Sequence, residues 1–131
     1  MDEKRLEIIL KENEKHLEEF EKWLINQKLA NKTIERHIAN IDNYINEFLC
    51  YTCVYDIVEG MDRVSTFLDD WYPRRAYIRK DGVNSYCTSI KKFYKCMCEL
   101  GYVDIEDYED LCFYMKEEKE LWIEVAETLN K

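Results

Sequence analysis

One proline and three glycines punctuate this chain of 131 residues, too few for the tight turns of a β-sandwich or barrel. No apolar run approaches the roughly 18 residues that suggest a membrane-spanning helix. The opening "MDEKRLEIILKENEKH" is charged throughout and has no apolar centre of the kind a secretory signal carries. These absences predict a cytoplasmic protein, not bound to a membrane, whose six cysteines are reduced. Histidine is scarce as well: His16 and His37 have no serine or cysteine nucleophile arranged around them in the sequence. No catalytic residue, cofactor or small-molecule substrate is read from the chain.

What is present is apolar and helix-forming. Hydrophobic residues make up 47% and aromatics 14%, which excludes a disordered polar chain. The length suits one domain with one core. Long stretches of Glu, Lys, Leu and Ile predict an all-α fold, a single bundle of five or six helices.

The stripes place those helices. Leu6, Ile9, Leu10, Leu17, Phe20, Trp23 and Leu24 predict a long helix over roughly residues 3–28, with a break near Asn13. Asn31 is the expected N-cap of the next helix, whose stripe Ile34, Ile38, Ile41, Ile45 and Phe48 is the cleanest in the chain. After Cys53 the pattern lapses until Gly60. Val64, Phe67, Leu68 and Trp71 mark a short helix that should end before Pro73, because the residue preceding proline avoids αR geometry. Val83, Tyr86, Cys87, Ile90, Phe93, Tyr94, Met97 and Leu100 form one apolar face closed by Gly101, an expected C′ residue. The remainder has two weaker stripes, Ile105–Met115 and Leu121–Leu129, behind acids (Asp104, Glu106, Asp107) that suit a helix N-terminus.

Charge is unevenly spread. The formal net charge is −9, divided as −5 over residues 1–60, +3 over 61–101 and −7 over 102–131. The basic centre begins at the only proline, in "WYPRRAYIRK" (Trp71–Lys80). From Arg74 to Lys95 there are seven basic residues and one acid, Asp81. On a helical wheel Asn84, Thr88, Lys91 and Lys95 share a stripe opposite the apolar face, with Lys92 beside it.

Two segments also carry a resemblance. "FEKWLINQKLANKTIERHIANIDNYINEFL" (Phe20–Leu49) has a helix, a Leu-x-x-x-Thr junction at Leu29–Thr33 and a second helix ending in Phe-Leu. "VSTFLDDWYPRRAYIRKDGVNSYCTSIKKFYKCMCELGYV" (Val64–Val103) has a short helix, a variable loop and a long helix with Ile90-Lys91-Lys92-Phe93-Tyr94 before Gly-Tyr-Val. Their order resembles the N-terminal, SAM-like core-binding domain of tyrosine recombinases and phage integrases. Thr88–Tyr94 is similar to that family's Ser-Ala-Leu-Arg-x-Phe-Tyr segment. The resemblance covers residues 14–103 of a single helical domain and leaves 104–131 as an acidic C-terminal helical extension. Departures are Ala30-Asn31 in place of the family's Ser-Pro, and "YVDIEDYEDL" in place of its Asn-Pro. The family's catalytic domain, with its His-x-x-Arg and nucleophilic Tyr, has no counterpart in these residues.

The resemblance implies an orthogonal bundle and a non-catalytic module that holds double-stranded DNA between helices corresponding to residues 32–49 and 81–100. Arg74, Arg75, Arg79, Lys80, Lys91, Lys92 and Lys95 would contact phosphates, with Asn84 and Thr88 for limited base reading. Lys32 and Arg36, with His37 and Asn40, are the candidates on the first helix, where Glu35, Asp42 and Glu47 share the segment. Apart from the resemblance, the tyrosines and tryptophans are expected in the core and at its edge, with Tyr72 and Tyr77, inside the basic stretch, as the exceptions that could stack on single-stranded bases.

Plainer readings stand beside these. The basic cluster is also what a solvated loop with ion pairs to the acidic flanks would look like. Equally, the charge of −9 suits a helical module for a protein partner, or a homodimer, that has lost DNA binding. Cys50-x-x-Cys53 has ligand-like spacing, but Cys96 and Cys98 point about 200° apart on a helix. The expectation is core thiols and no metal.

Overall fold

The computed structural model describes residues 3–51, 53–75 and 80–129, for 80, 81 and 129 the backbone alone. It is an all-α helical bundle, with no strand among the described residues. Helix α1 spans Glu3–Asn26 and α2 spans Asn31–Asp42. The latter runs directly into a π-helical segment, Asn43–Phe48. A 3-10 segment, Glu59–Arg63, leads through the short α3, Val64–Thr66, into a second π-helical segment, Phe67–Trp71. Two long helices complete the bundle, α4 over Lys80–Glu99 and α5 over Ile105–Leu129.

Helix α1 is unbroken at Asn13, contrary to the sequence expectation. Its buried stripe is Ile9, Asn13, His16, Phe20 and Leu24, spaced four, three, four and four, while Leu10 is exposed. Asn13 belongs to the inward face because it has partners there: Nδ2 donates to the Ile45 carbonyl (3.3 Å) and to Asn46 Oδ1 (2.8 Å). His16 packs edge-on against Tyr102, 4.6 Å between centroids. The α1–α2 turn passes through Lys28 at φ 61, a left-handed conformation uncommon outside glycine. The α2 cap also differs from expectation. Ala30 occupies the extended N-cap position without a side-chain bond, and Asn31 is already helical.

The segment without a stripe is held by polar contacts. Asp56 and Glu59 form a reciprocal cap, Glu59 N donating to Asp56 Oδ1 (2.8 Å) and Asp56 N to Glu59 Oε1 (3.0 Å). Arg5 of α1 bonds the Val54 carbonyl and pairs with Glu59. In the core, Tyr44 donates to Gly60 O (2.6 Å) and Tyr94 to Ile57 O (2.7 Å), their oxygens 3.0 Å apart. Burial pushes both phenols above their ordinary range.

The short helix does stop at Trp71, but Tyr72 keeps αR angles (φ −65, ψ −48) despite preceding proline. The chain goes on turning past Pro73, and Arg75 N donates back to Tyr72 O at 3.1 Å. The expected close of α4 is present in full: Gly101 has φ 87, Gly101 N bonds Cys98 O and Tyr102 N bonds Met97 O. Those two bonds are a Schellman motif. The two weak stripes of the C-terminal third lie on one continuous helix, with acids Glu106 and Asp107 in its first turn.

Helix α4 is the central element, packed most extensively on α5 and α2. Its buried residues Val83, Cys87, Ile90, Phe93, Tyr94 and Met97 join Phe20, Leu24, Ile41, Ile45, Phe67, Trp122 and Ala126 in one cluster. No helix among the described residues is long and apolar enough to cross a membrane.

Candidate nucleic-acid interface

Helices α2 and α4 meet along a seam of small polar side chains. Asn40 Nδ2 lies 3.0 Å from both Ser85 Oγ and Ser89 Oγ, and His37 Nδ1 lies 2.7 Å from Ser89 Oγ. One turn further, Asn43 Nδ2 donates to Tyr86 OH at 2.8 Å. Burial first, then the charges of Arg36 and Lys92, hold the His37 pKa below its ordinary 6.5. A neutral ring protonated at Nε2 satisfies both Ser89 contacts, because Oγ then donates to Nδ1 while accepting from Asn40. His37 and Asn40, polar candidates on the first helix in the sequence, thus bond to α4 and fix the spacing of the two helices.

Above that seam lies an open groove of about 450 Å³ lined by Arg36, His37, Gly82, Asn84, Ser85 and Thr88. Among the described residues no carboxylate lines it. Four residues singled out in the sequence (Arg36, His37, Asn84 and Thr88) therefore share one surface. Lys92 is near enough to His37 to depress its pKa. Lys91 acts likewise on Cys87, on the flank where α5 supplies Lys119. Lys95 and Thr88 are exposed on α4, and Lys32 is exposed one turn before Arg36 on α2.

None of Lys32, Arg36, Lys91, Lys92 and Lys95 has a carboxylate within ion-pair distance among the described residues, where the ion pairs are Arg5–Glu59, His16–Glu19 and Arg74–Asp70. The acids that share the α2 segment lie elsewhere: Glu35 and Asp42 line a separate hollow between α1 and α2, with Leu17, Glu21, Ile25, Ile34 and Ile38. The acidic α5 packs along α4 without contributing a residue to the groove.

Arg74 and Arg75 do not line the groove. Arg74 pairs with Asp70 one turn earlier, which raises its pKa further. The Arg75 guanidinium lies over the rings of Trp71 and Tyr51, 4.3 and 4.9 Å from their centroids. Both face a second hollow, which Arg63, Tyr51 and Tyr55 also line. Sequence reasoning passed over these last three, since Tyr55 lies in the stretch without periodicity after Cys53 and Tyr51 and Arg63 flank it. Tyr72 packs against Tyr86 and Phe67 and is half-buried. Arg79, Tyr77 and the side chain of Lys80 lie outside the described residues.

The six cysteines are unbonded: Cys50, Cys87 and Cys96 are buried, Cys98 and Cys112 half-buried and Cys53 exposed. Among the described residues no three His, Cys, Asp or Glu side chains group as a metal site requires. Comparison with known protein families, with curated proteins and with solved structures finds no match to this chain.

Proposed function

We propose that this chain is a non-catalytic module that binds double-stranded DNA through the α2–α4 groove, related to the core-binding domain of tyrosine recombinases and integrases. The observation that carries the reading is the clustering of Lys32, Arg36, Lys91, Lys92 and Lys95 along a groove with no carboxylate among its described lining residues, in a protein of charge −9. A face that gathers cations suits a polyanion.

Dimensions support the same reading. Asn84 to Lys95 covers eleven residues, about 16 Å along the helix at 1.5 Å each. A duplex axis carries roughly ten phosphate charges over that length. Asn84 and Thr88 supply polar contacts between the flanking cations, and the Ser89–His37–Asn40 seam keeps the two rows at fixed separation.

Anisotropy titration of a labelled duplex at about 50 and 200 mM salt tests the proposal. Five phosphate contacts predict a log–log slope near −4.5, hence a loss of roughly 500-fold across that range. Lys91→Glu with Lys95→Glu should flatten the slope by about two units and weaken binding severely. No binding at the lower salt, or an unchanged isotherm in the folded double variant, refutes it.

A second reading rests on the hollow between α1 and α2, about 610 Å³, with an apolar floor (Leu17, Ile25, Ile34, Ile38) and an acidic rim (Glu21, Glu35, Asp42). It suits a basic amphipathic segment of a protein partner better than a second copy of this chain, whose own acids would repel it. A chain that ignores duplex DNA but binds a basic amphipathic peptide, with Ile25→Asp abolishing that binding, would transfer the function to this hollow.

A further inference from the structure

The second hollow, about 440 Å³ in volume, is built from the end of one π-helical segment, the following loop and the turn after Trp71. Its walls include Phe48, Tyr51, Tyr55 and Trp71. Three guanidinium side chains, Arg63, Arg74 and Arg75, line it against a single acid, Asp70, already paired to Arg74. The lining therefore carries +2 (three minus one) in a chain whose total is −9. Arg75 lies over Trp71 and Tyr51, and Arg63 lies over Tyr55 at 5.1 Å. Planar cations are thereby fixed beside planar rings.

Two side chains of this wall are incompletely satisfied. Arg63 Nε and Trp71 Nε1 are buried, and neither has an acceptor among the described residues. A buried N–H without an acceptor is unfavourable, and the great majority in folded proteins are paired. Both belong to residues that line the one cationic hollow. Tyr51, 61% exposed, leaves a ring face open to a flat ligand.

We propose that this hollow binds a nucleotide, its phosphate on Arg63 and Arg75 and its base against Tyr51 and Tyr55. Guanidinium groups favour phosphate through paired N–H donors, and bases of any identity stack on aromatic rings. The volume falls in the range of small-molecule sites. The nucleotide has two possible sources, a free mononucleotide or an unpaired residue of a nucleic-acid strand. No lining residue is shared with the α2–α4 groove, so this inference goes beyond the duplex reading and stands without it.

Calorimetric titration of the full chain at about 50 mM salt with AMP, adenosine, inorganic phosphate and a short single-stranded oligonucleotide tests it. AMP should bind at least about tenfold more tightly than adenosine or phosphate alone, since base and phosphate are held by different groups. Tyr51→Ser and Arg75→Ala, both on exposed side chains, should each weaken AMP by about tenfold or more, while Lys91→Glu with Lys95→Glu leaves it unchanged. Binding of the single strand without AMP, lost in the same two variants, also supports the site and assigns the nucleotide to a strand. Silence of both probes up to about 10 mM, equal affinity for AMP and adenosine, or indifference to Tyr51→Ser and Arg75→Ala overturns the proposal.

Discussion

Replacing Ser89 by alanine removes one oxygen from the centre of the molecule and tests how α2 is held on α4. Ser89 is fully buried, and its Oγ contacts His37 Nδ1 at 2.7 Å and Asn40 Nδ2 at 3.0 Å. Asn40 retains Ser85 Oγ as a partner. His37 Nδ1, in a buried ring, has no other among the described residues. Leaving one buried polar group unpaired costs about 1–3 kcal/mol, so about 2 kcal/mol is expected for Ser89→Ala. A chain of 131 residues has an unfolding entropy near 0.28 kcal/mol/K, which turns that loss into a fall in Tm of about 7 °C. The assay is far-UV circular dichroism on heating at about pH 8. His37→Leu combined with Ser89→Ala removes both partners and should recover part of the loss. The pH dependence follows from the depressed His37 pKa. Below about pH 6.5 the unfolded chain takes up a proton that the folded chain refuses, so His37 contributes stability at higher pH that is lost as pH falls through 6.5 toward the depressed value. A Tm change under about 2 °C for Ser89→Ala, or no effect of replacing His37 by Leu on the pH dependence between 8 and 5.5, would refute a buried neutral imidazole clamped by serine.

Two further perturbations probe the packing and the thiols. An alanine Cβ at Gly60 would sit 2.5 Å from Leu49 Cδ1 and 3.1 Å from Tyr44 OH, both on fully buried side chains. Gly60→Ala should cost about 3 kcal/mol by overpacking. Gly101→Ala meets nothing within 4 Å and suffers only from φ 87, about 1 kcal/mol. Urea midpoints that rank the two equally would show that Leu49 yields. Among the cysteines, burial pushes the Cys87 thiol up to about 11 and Cys96 to about 12, while Cys53 is exposed. A disulfide reagent at about pH 8 should modify Cys53 first, a phase abolished by Cys53→Ser, and reach Cys87 and Cys96 only on unfolding.

Legibility in the sequence followed the type of interaction. Where burial is purely apolar, periodicity sufficed: Ile34, Ile41 and Ile45 are buried as their spacing demands, and Gly101 closes α4 through the bonds its freedom at positive φ permits. Where a polar residue is buried because of a distant partner, local reading failed. Asn13 looked like an interruption, yet it donates to Ile45 O and Asn46, which lie far along the chain. Ser85 and Ser89 carry no local signal of burial or partnership, yet each accepts from Asn40. The π-helical register of Asn43–Phe48 is likewise hidden, because a one-residue shift in hydrogen bonding leaves an apolar stripe nearly intact. The two faint stripes of the C-terminal third failed to merge because exposed Phe113, Tyr114 and Leu121 blur the period of what is one helix. For the groove, the α4 stripe could be read from spacing alone. That Glu35 and Asp42 turn away from Arg36 follows from how α2 is rotated on its neighbours, which spacing within α2 does not fix.

That rotation bears on how an acidic chain can meet a polyanion in the proposed reading. Charges on opposite sides of a helix are separated by roughly its diameter, 10–12 Å with side chains. The Debye length is about 10 Å at 0.1 M salt and about 30 Å at 0.01 M. At the higher salt, Glu35 and Asp42 on the α1–α2 side are screened from a phosphate in the groove, and the local cations dominate. At the lower salt the whole charge of −9 acts on the approaching duplex and opposes it. Net charge and local charge therefore make opposite demands, and ionic strength selects between them. The separation is produced by the fold, since Arg36 and Glu35 are adjacent in sequence and line different hollows. A basic face on an acidic protein is thus a consequence of the helical period: neighbours in the chain lie about 100° apart around α2, and the Asn40–Ser85–Ser89 seam decides which of them looks into the groove.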